Sequence, residues 1–371
     1  MQDATPAFHN YKKTRFFGSL NGLRFLCIFA VLWHHSPAFD ALEAPIQLLT
    51  RGFTGVDFFF VLSGYLITTL LLREEERNGR FSITGFYWRR ILRILPVYYL
   101  VVTLCAIYWV LVKGQAEYAP LVPYYYLFLS NILVGDIPLL APTWSLSVEE
   151  QYYLIWPALL LLLPVSWRIR MGVLTLLILL CVLSASGALA GLNMRPIKTD
   201  VAIWSFPTNS YTAILLGSLA AVLLHLPAGF AVLYRIFGHR WASLVALIGV
   251  VVALQATPAR LIGWPNLFLH AVMTCFIISI VIREDHVLSR ALSFRPVARI
   301  GEISYGLYLY HLIGLHFATE AVGLIDVGGT SQSWVATLLF VMFSVIISEI
   351  SFRTYEAYFL SLKFRRFRQR A

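Results

Sequence analysis

The sequence predicts an all-α polytopic membrane protein with about ten transmembrane helices, and three observations predict it. Of the 371 residues, 59% are hydrophobic and only 13% are charged, whereas about 25% of the residues in a soluble domain are charged. Apolar runs of about 20 residues, the length needed to cross a bilayer, recur along the whole chain. Basic residues are concentrated in alternate loops. We therefore expect a single membrane domain over residues 1–371.

The distribution of basic residues favours ten spans with both termini in the cytoplasm. In this arrangement 23 of the 29 lysine and arginine residues lie on the inner side and five on the outer side, with Arg24 inside the first span, as the positive-inside rule requires. An eleventh span at 120–134 would invert every later loop, so we expect a shallow or re-entrant segment there. Residues 1–17 and the basic tail 354–371 are expected in the cytoplasm. The predicted spans are 18–36, 52–72, 94–113, 148–165, 171–191, 208–226, 241–257, 265–283, 301–320 and 333–352.

The net charge and the cysteines are both explained by the membrane setting. A formal charge of +10 suggests nucleic acid in a soluble protein, but here it reflects the inner basic loops. We therefore expect the lipid bilayer, and no nucleic acid, as a partner. The four cysteines fall in apolar runs and match no metal-binding spacing, so we expect neither a metal site nor a disulfide.

The first predicted span carries Arg24 and His35 on one face. Eleven positions at about 100° each make three turns plus about 20°, with an axial separation of about 16 Å. Charged and titratable groups inside a membrane are costly and therefore mark candidate functional positions. The alternative is that Arg24 snorkels inward and His35 merely ends the span. His34 points about 100° away from His35 and is the weaker candidate.

Arg90 and Arg93 lie three residues apart just before the third predicted span. At this spacing they sit side by side on a helical turn. Two guanidiniums in that position suit a phosphate or pyrophosphate group, whose oxygens match the arginine fork. Positive-inside anchoring of the helix is the alternative.

Glu149 and Asp57 are predicted to lie near the outer face, at the depth of His35. A histidine beside a carboxylate is the minimal general-base arrangement. We therefore predict that Glu149 or Asp57 orients His35, and the choice between the two stays open. The alternative for Glu149 is a place in the first turn of a helix that Ser145 or Ser147 caps.

Two further histidines fall inside predicted spans. His311 lies near mid-membrane in span nine, below the proposed site, and His270 is placed similarly in span eight. Each is expected to be either a hydrogen-bonded member of the bundle or a participant in the chemistry.

Taken together, these segments resemble the acyltransferase-3 family of integral-membrane O-acyltransferases. The resemblance runs in order from about residue 18 to 357. Asn21 stands where an aspartate is commoner, and Ala357 replaces the usual proline after Tyr355 and Glu356. The matching elements are 20–24 with His35, 55–59 with Ser63 and Gly64, 86–96, 144–153, and 304–311.

The resemblance implies an enzyme of the bacterial cytoplasmic (inner) membrane that moves an acyl group, most simply acetyl, from acyl-CoA to a hydroxyl. The donor is a substrate, and no permanently bound cofactor is expected. The acceptor is a glycan of the envelope or a small molecule, and neither its identity nor the oligomeric state follows from the sequence. Some relatives carry a fused SGNH-hydrolase-like domain. Since this chain has none, we expect transfer to be completed in the membrane domain or by a separate partner.

The resemblance also assigns roles to the candidate residues. The donor phosphates are expected on Arg90 and Arg93, with Arg24 further along the path, and the pantetheine arm reaches outward between helices. His35, with Glu149 or Asp57, then deprotonates the acceptor hydroxyl. Further candidates for the acceptor site or the transfer pathway are Trp144, Ser147, Tyr153, Tyr305 and His311.

A proton-coupled transporter or flippase is the alternative function, because intramembrane histidines and carboxylates also form proton relays. The sequence has neither an inverted repeat nor a pair of broken helices, and both are typical of such transporters. Consumption of acetyl-CoA by the purified protein discriminates between the two functions.

Overall fold

The computed structural model describes residues 4–14, 17–43, 46–189, 197–204, 208–324 and 329–368, with the side chains of 363–368 outside the description. These residues are almost entirely helical, which confirms the all-α class. Two short antiparallel strands, β1 (Ile197–Lys198) and β2 (Ile203–Trp204), pair on one loop.

The helices follow one another through short connections. The first nine are α1 (Ala4–Lys13), α2 (Ser19–His34), α3 (Pro37–Asp40), α4 (Gln47–Thr50), α5 (Gly55–Asn78), α6 (Ile83–Ala106), α7 (Val122–Tyr126), α8 (Thr143–Leu162) and α9 (Trp167–Ala185). The others are α10 (Tyr211–His225), α11 (Pro227–Phe237), α12 (Ala242–Ala256), α13 (Trp264–Val281), α14 (Ser289–Leu292), α15 (Arg295–Glu302), α16 (Ser304–Gly323), α17 (Thr330–Ser351) and α18 (Ala357–Arg368). Short 3₁₀ segments occupy Gly52–Thr54, Ala116–Leu121 and Ser130–Ile132, and π-helical turns occupy Ile107–Val112 and Phe352–Glu356.

Each of the ten predicted spans overlaps one of the long helices. In the described part of the chain, five helices are long and apolar enough to cross a membrane alone. A sixth crossing results if α10 and α11, which meet at a bend of 105°, form one span. These helices establish an integral membrane protein, while the count of ten and the side of the termini stay predictions. The five helices are Gly52–Asn78, Ile83–Val112, Trp167–Ala185, Trp264–Val281 and Thr330–Leu362.

Two helices begin well before the predicted spans. Helix α6 starts at Ile83 and α8 at Thr143, whereas the apolar runs predicted starts at 94 and 148. Hydropathy placed the boundaries late because both helices carry charged or polar residues in their first turns. Arg90 and Arg93 of α6 and Ser145 of α8 lie in the parts of these helices that precede the predicted spans, and they line a cavity inside the bundle.

The segment 120–134 is not a continuous helix, so the prediction that it makes no straight crossing is confirmed. Its longest helix is α7, with five residues. Tyr125 is fully buried, and its hydroxyl accepts from Ile137 N at 3.0 Å and donates to Asp136 at 3.1 Å. Tyr98 of α6 donates to the Tyr125 carbonyl at 2.8 Å. The segment is therefore fastened to α6.

Helices α5 and α10 pack with their backbones in close contact because each supplies a glycine. A Cβ at Gly64 would lie 1.9 Å from the Ile214 carbonyl oxygen, and one at Gly217 would lie 2.0 Å from that of Val61. Small residues permit such close approach between membrane helices. This contact fixes the rotation of α5 and so the direction of Ser63, the neighbour of Gly64.

Helix α1 docks against α5 and α11. The hydroxyls of Tyr11 and Tyr65 lie 3.2 Å apart, and the rings of Phe8 and Phe230 lie 5.2 Å apart. Arg73 of α5 donates to the Tyr11 carbonyl at 2.8 Å. The residues before the first long helix are thus part of the packed bundle.

Candidate active site

A cavity of about 330 Å³ lies between α2, α5, α6, α8 and α16. Its volume is in the range of small-molecule sites. All three arginines that the sequence singled out line it, although they come from two different helices. The charged residues of the lining are Arg24, Arg73, Arg90, Arg93, Glu149 and Glu150.

The three arginines have little to neutralise them. In the part of the chain that the structure describes, none of them has a carboxylate oxygen within 4.0 Å. Arg24 donates to the Asn21 side chain at 2.9 Å. Arg90 lies over the ring of Tyr153, 5.0 Å from its centroid, and Arg93 exposes much of its surface although it lies inside the bundle. Unpaired buried charge is costly, so this arrangement suits an anionic ligand.

Glu149 belongs to this cavity and not to the neighbourhood of His35. Its Oε1 accepts from the Ser63 hydroxyl at 2.5 Å. Because α8 begins at Thr143, Glu149 lies six residues, or about 9 Å, inside the helix. The prediction that it lies in the first turn is wrong for the same reason, and so is capping by Ser145 or Ser147, since neither precedes the helix.

Asp57 is also directed away from His35. Its Oδ2 lies 3.5 Å from Nε2 of His270, a fully buried side chain on α13. In the described part of the chain neither carboxylate lies within 4.0 Å of a His35 ring nitrogen, so the structure shows no direct pairing of His35 with Glu149 or Asp57. Asp57 lies in the first turn of α5, where its side chain faces His270 of α13.

The partner that the structure gives to His35 is another histidine. The rings of His35 and His311 lie 4.9 Å apart, and the rings of His35 and His34 lie 5.0 Å apart. Nδ1 of His35 donates to the Val31 carbonyl at 3.0 Å. On α16, Nδ1 of His311 likewise donates to a backbone carbonyl, that of Tyr308, at 2.6 Å. His311 is fully buried, and its Nε2 has no hydrogen-bond partner.

Tyr308 separates the cavity from the histidine pair. It lines the cavity, and its ring lies 5.7 Å from that of His311. Its hydroxyl is held by Ser145 at 2.7 Å and donates to the Pro142 carbonyl at 2.9 Å. The arginines and the histidines therefore lie on the two sides of one aromatic ring.

The other predicted residues divide between the cavity and the surroundings of segment 120–134. Tyr153 and Tyr305 line the cavity, and Tyr305 donates to the Ile94 carbonyl at 2.9 Å. Ser147 is fully buried, and its hydroxyl lies 2.8 Å from that of Ser130, so it fastens segment 120–134 to α8. Trp144 lies in the first turn of α8 and is 37% exposed.

Arg73 and several further residues of the site were not proposed from the sequence, and four of these lie next to recognised motifs. Asn21 accepts a hydrogen bond from Arg24, and Ser63 donates one to Glu149. Glu150 and Tyr308 line the cavity. Each adjoins a motif that was recognised, and Tyr308 lies three positions before His311. Helical spacing of three or four from a recognised residue is the signal that could have found Tyr308.

Fold and site together define a polytopic membrane protein with a buried cationic ligand cavity beside a pair of histidines. The chain belongs to the acyltransferase-3 family, because the family model, described as an acyltransferase domain, matches residues 17–352. The family that the sequence motifs suggested is thereby confirmed. No solved structure matches the chain.

The curated relatives of the chain include O-acetyltransferases of bacteria. The peptidoglycan O-acetyltransferase OatA of Listeria monocytogenes is 28% identical over 364 residues, which cover 91% of this chain and 55% of the relative. A putative O-acetyltransferase of Staphylococcus aureus strain COL is 27% identical over 96% of this chain and 59% of its own length. The putative peptidoglycan O-acetyltransferase YrhL of Bacillus subtilis is 26% identical, with 98% and 58% covered. The chain thus spans between half and two thirds of these relatives.

Proposed function

We propose that this protein is an O-acetyltransferase of the bacterial cytoplasmic membrane that moves acetyl from cytoplasmic acetyl-CoA to a hydroxyl of an extracytoplasmic glycan. Membership of the acyltransferase family and the names of the relatives support the reaction class. The observation that carries the proposal is the cavity, where three arginines without carboxylate partners lie one ring away from two histidines.

The cavity suits the phosphate and pantetheine part of the donor. Arg90 and Arg93 are placed to hold phosphate oxygens, which guanidiniums bind in a forked geometry. Arg24, on the facing helix, extends the positive surface along the same space. A few hundred Å³ accommodate a pantetheine arm, so the thioester reaches the wall at Tyr308 while the nucleotide stays at the inner end.

His35 is the group that we assign to proton removal. Its Nδ1–H is held by the Val31 carbonyl, so the neutral ring presents Nε2 as an acceptor. As the acceptor oxygen attacks the thioester, its proton passes to this nitrogen, and the new C–O bond forms. The C–S bond then breaks, and the CoA thiolate leaves with the proton from the imidazolium.

The acceptor is proposed from the printed names of two relatives, which specify peptidoglycan. A hydroxyl of a peptidoglycan sugar is therefore the first acceptor to test. Other envelope glycans and hydroxylated small molecules form the comparison set, because the cavity contacts described above concern the donor.

The test uses the purified full chain in lipid nanodiscs with acetyl-labelled acetyl-CoA and soluble peptidoglycan fragments. We expect label in an ester on the glycan and one CoA released per ester. An Arg93→Ala variant should need more acetyl-CoA, whereas Arg89→Ala should not, since Arg89 pairs with Glu74 at 3.1 Å outside the cavity. Binding of acetyl-CoA with no ester on any acceptor would contradict the proposal and favour a transporter.

The sidedness is tested in membrane vesicles. Acetyl-CoA is membrane-impermeant, so inside-out vesicles should consume it and right-side-out vesicles should not. Reporter fusions at both termini should report the cytoplasm. A terminus outside would reverse the direction of transfer proposed here.

A further inference from the structure

We propose that His311 is a positioning residue for His35 and that the two imidazoles act together as one base. The inference rests on the proposed function, because it assigns the partner that His35 needs for the transfer step. It replaces the carboxylate partner that the sequence had suggested, since Glu149 is bonded to Ser63 and Asp57 faces His270.

The backbone fixes the same tautomer in both rings. Nδ1 of His35 donates to the Val31 carbonyl and Nδ1 of His311 to the Tyr308 carbonyl. A neutral imidazole has one donor and one acceptor nitrogen, so Nε2 is the bare acceptor in both. The rings lie 4.9 Å apart at 60°.

The unpartnered nitrogen of His311 is the observation that points to a role. Its Nε2 is fully buried and has no hydrogen-bond partner. A buried acceptor without a donor costs the protein about 1–3 kcal/mol, and such groups in a packed interior require an explanation. A proton carried by His35 would supply the missing donor.

Two other imidazoles lie beside His35, with ring centroids 4.9 Å away for His311 and 5.0 Å away for His34, and of these two only His311 is fully buried. Across the described ranges, neither imidazole has a carboxylate within ion-pair distance. The titratable groups that face the pair are His34 and Asp40 beside His35, and Tyr308 beside His311. From α17 the pair meets the ring of Phe340, which is apolar. We therefore assign the shared proton to the second imidazole, whose ring centroid lies 4.9 Å from that of the first.

In the reaction the pair holds one proton for a short time. The acceptor hydroxyl gives its proton to Nε2 of His35 as its oxygen bonds to the acyl carbon. The imidazolium is then stabilised by Nε2 of His311. When the C–S bond breaks, the proton goes to the leaving thiolate, so atoms and charge balance and both rings return to neutral.

Two variants of His311 separate this role from a structural one. Asparagine reproduces the position of Nδ1 and can keep the bond to the Tyr308 carbonyl, but it has no atom at Nε2. Glutamine places a polar atom near Nε2. We expect His311→Asn to lower kcat at least about tenfold with unchanged acetyl-CoA binding, and His311→Gln to restore part of the loss. His316→Asn, on the same helix and outside both regions, is the matched control.

A double variant tests whether the rings act as a unit. Residues that act together show strongly non-additive losses, so His35→Ala with His311→Asn should be no slower than His35→Ala alone. Wild-type turnover in His311→Asn, or losses that multiply, would overturn the inference while leaving the proposed function intact.

A spectroscopic measurement keeps the inference testable even if the proposed function fails. ¹⁵N-histidine NMR of the full chain in nanodiscs should show both residues as Nδ1–H tautomers. Addition of one proton should change the signals of both rings together in the wild type, and His311→Asn should abolish this coupling in His35. Independent titration of the two rings would refute the pairing. Failure of the proposed function is recognised separately, by the absence of acetyl-CoA turnover in the wild type.

Discussion

The arginine cavity and the histidine pair lie next to each other but are built in opposite ways. The cavity has a volume of about 330 Å³, and none of Arg24, Arg90 and Arg93 on its wall has a carboxylate oxygen within 4.0 Å in the described chain, although Glu149 and Glu150 line the same cavity. In the histidine pair His311 is fully buried and His35 is half-buried, and each ring is fixed through Nδ1 by a backbone carbonyl. A binding site needs uncommitted charge and room for a ligand, whereas a base needs a fixed direction. The contrast therefore assigns donor binding to the first region and proton transfer to the second.

The largest expected effect comes from His35, on the chemical side of the comparison. His35→Ala should lower kcat about 10²–10⁴-fold, the usual contribution of a general base, while acetyl-CoA binding stays near the wild-type value. Turnover and donor binding should be measured on the same preparation, with His239→Ala as the control. Near-normal turnover in His35→Ala together with an inactive His311→Ala would move the chemistry deeper into the membrane.

The second effect comes from Arg93, on the binding side. A hydrogen bond to a charged group contributes about 1.5–3 kcal/mol, so Arg93→Ala should raise the KM for acetyl-CoA about 10–100-fold. Arg90→Ala should act in the same direction to a similar or smaller degree. Arg89→Ala carries the same loss of charge outside the cavity and should leave the KM unchanged. A fall in kcat alone would mean that the cavity does not bind the donor.

Glu149→Gln decides to which region Glu149 belongs. If it belongs with the arginines, loss of its charge removes a repulsion of about 1 kcal/mol toward the donor phosphate, and the KM for acetyl-CoA falls about fivefold. Asp57→Asn should leave this constant unchanged, because Asp57 faces His270. If kcat fell in either variant as much as it is expected to fall in His35→Ala, that carboxylate would have a role in proton transfer.

The smallest effect is expected for a charge outside both regions. Arg283 donates to Asp285 at 2.6 Å and holds the pKa of that carboxyl below its ordinary value. A carboxyl with a lowered pKa stabilises the fold above its unfolded pKa of about 3.9, and this contribution is lost as the pH falls through the folded pKa. Asp285→Asn should thus shift Tm slightly at neutral pH, and the shift should disappear once the pH lies below the folded pKa of this carboxyl. Changed turnover in this variant would show that charge effects are not confined to the two regions.

The helical fold could be predicted because membrane burial leaves a strong signal. Each predicted span overlaps a long helix, and Glu349 and Arg353, spaced for one helical turn, form an ion pair at 2.6 Å. The helix ends were less accurate, as α6 and α8 show. A hydropathy run marks where side chains are apolar, and a helix that lines a polar cavity continues past that point.

The site was predicted in part, and the missing part is a question of helix rotation. Arg24, Arg90 and Arg93 were identified correctly as neighbours because charge in a membrane is conspicuous. The sequence ranked Glu149 and Asp57 by depth alone, whereas the structure places Glu149 on Ser63, Asp57 beside His270 and the ring of His311 beside His35. Which way each helix turns depends on contacts such as that of Gly64 with Ile214, and these join residues far apart in sequence.

The docking of α1 has a consequence for synthesis of the protein. Phe8 and Tyr11 pack on Phe230, and Tyr11 also meets Tyr65. More than 200 residues separate the two sides of the contact with α11, so at about 5–20 residues per second the ribosome needs roughly 10–45 s between them. During that time α1 has no completed docking surface and must wait at the membrane. A tag at the N-terminus that slows docking of α1 on α11 would therefore delay assembly of the bundle without altering the arginine cavity or the histidine pair.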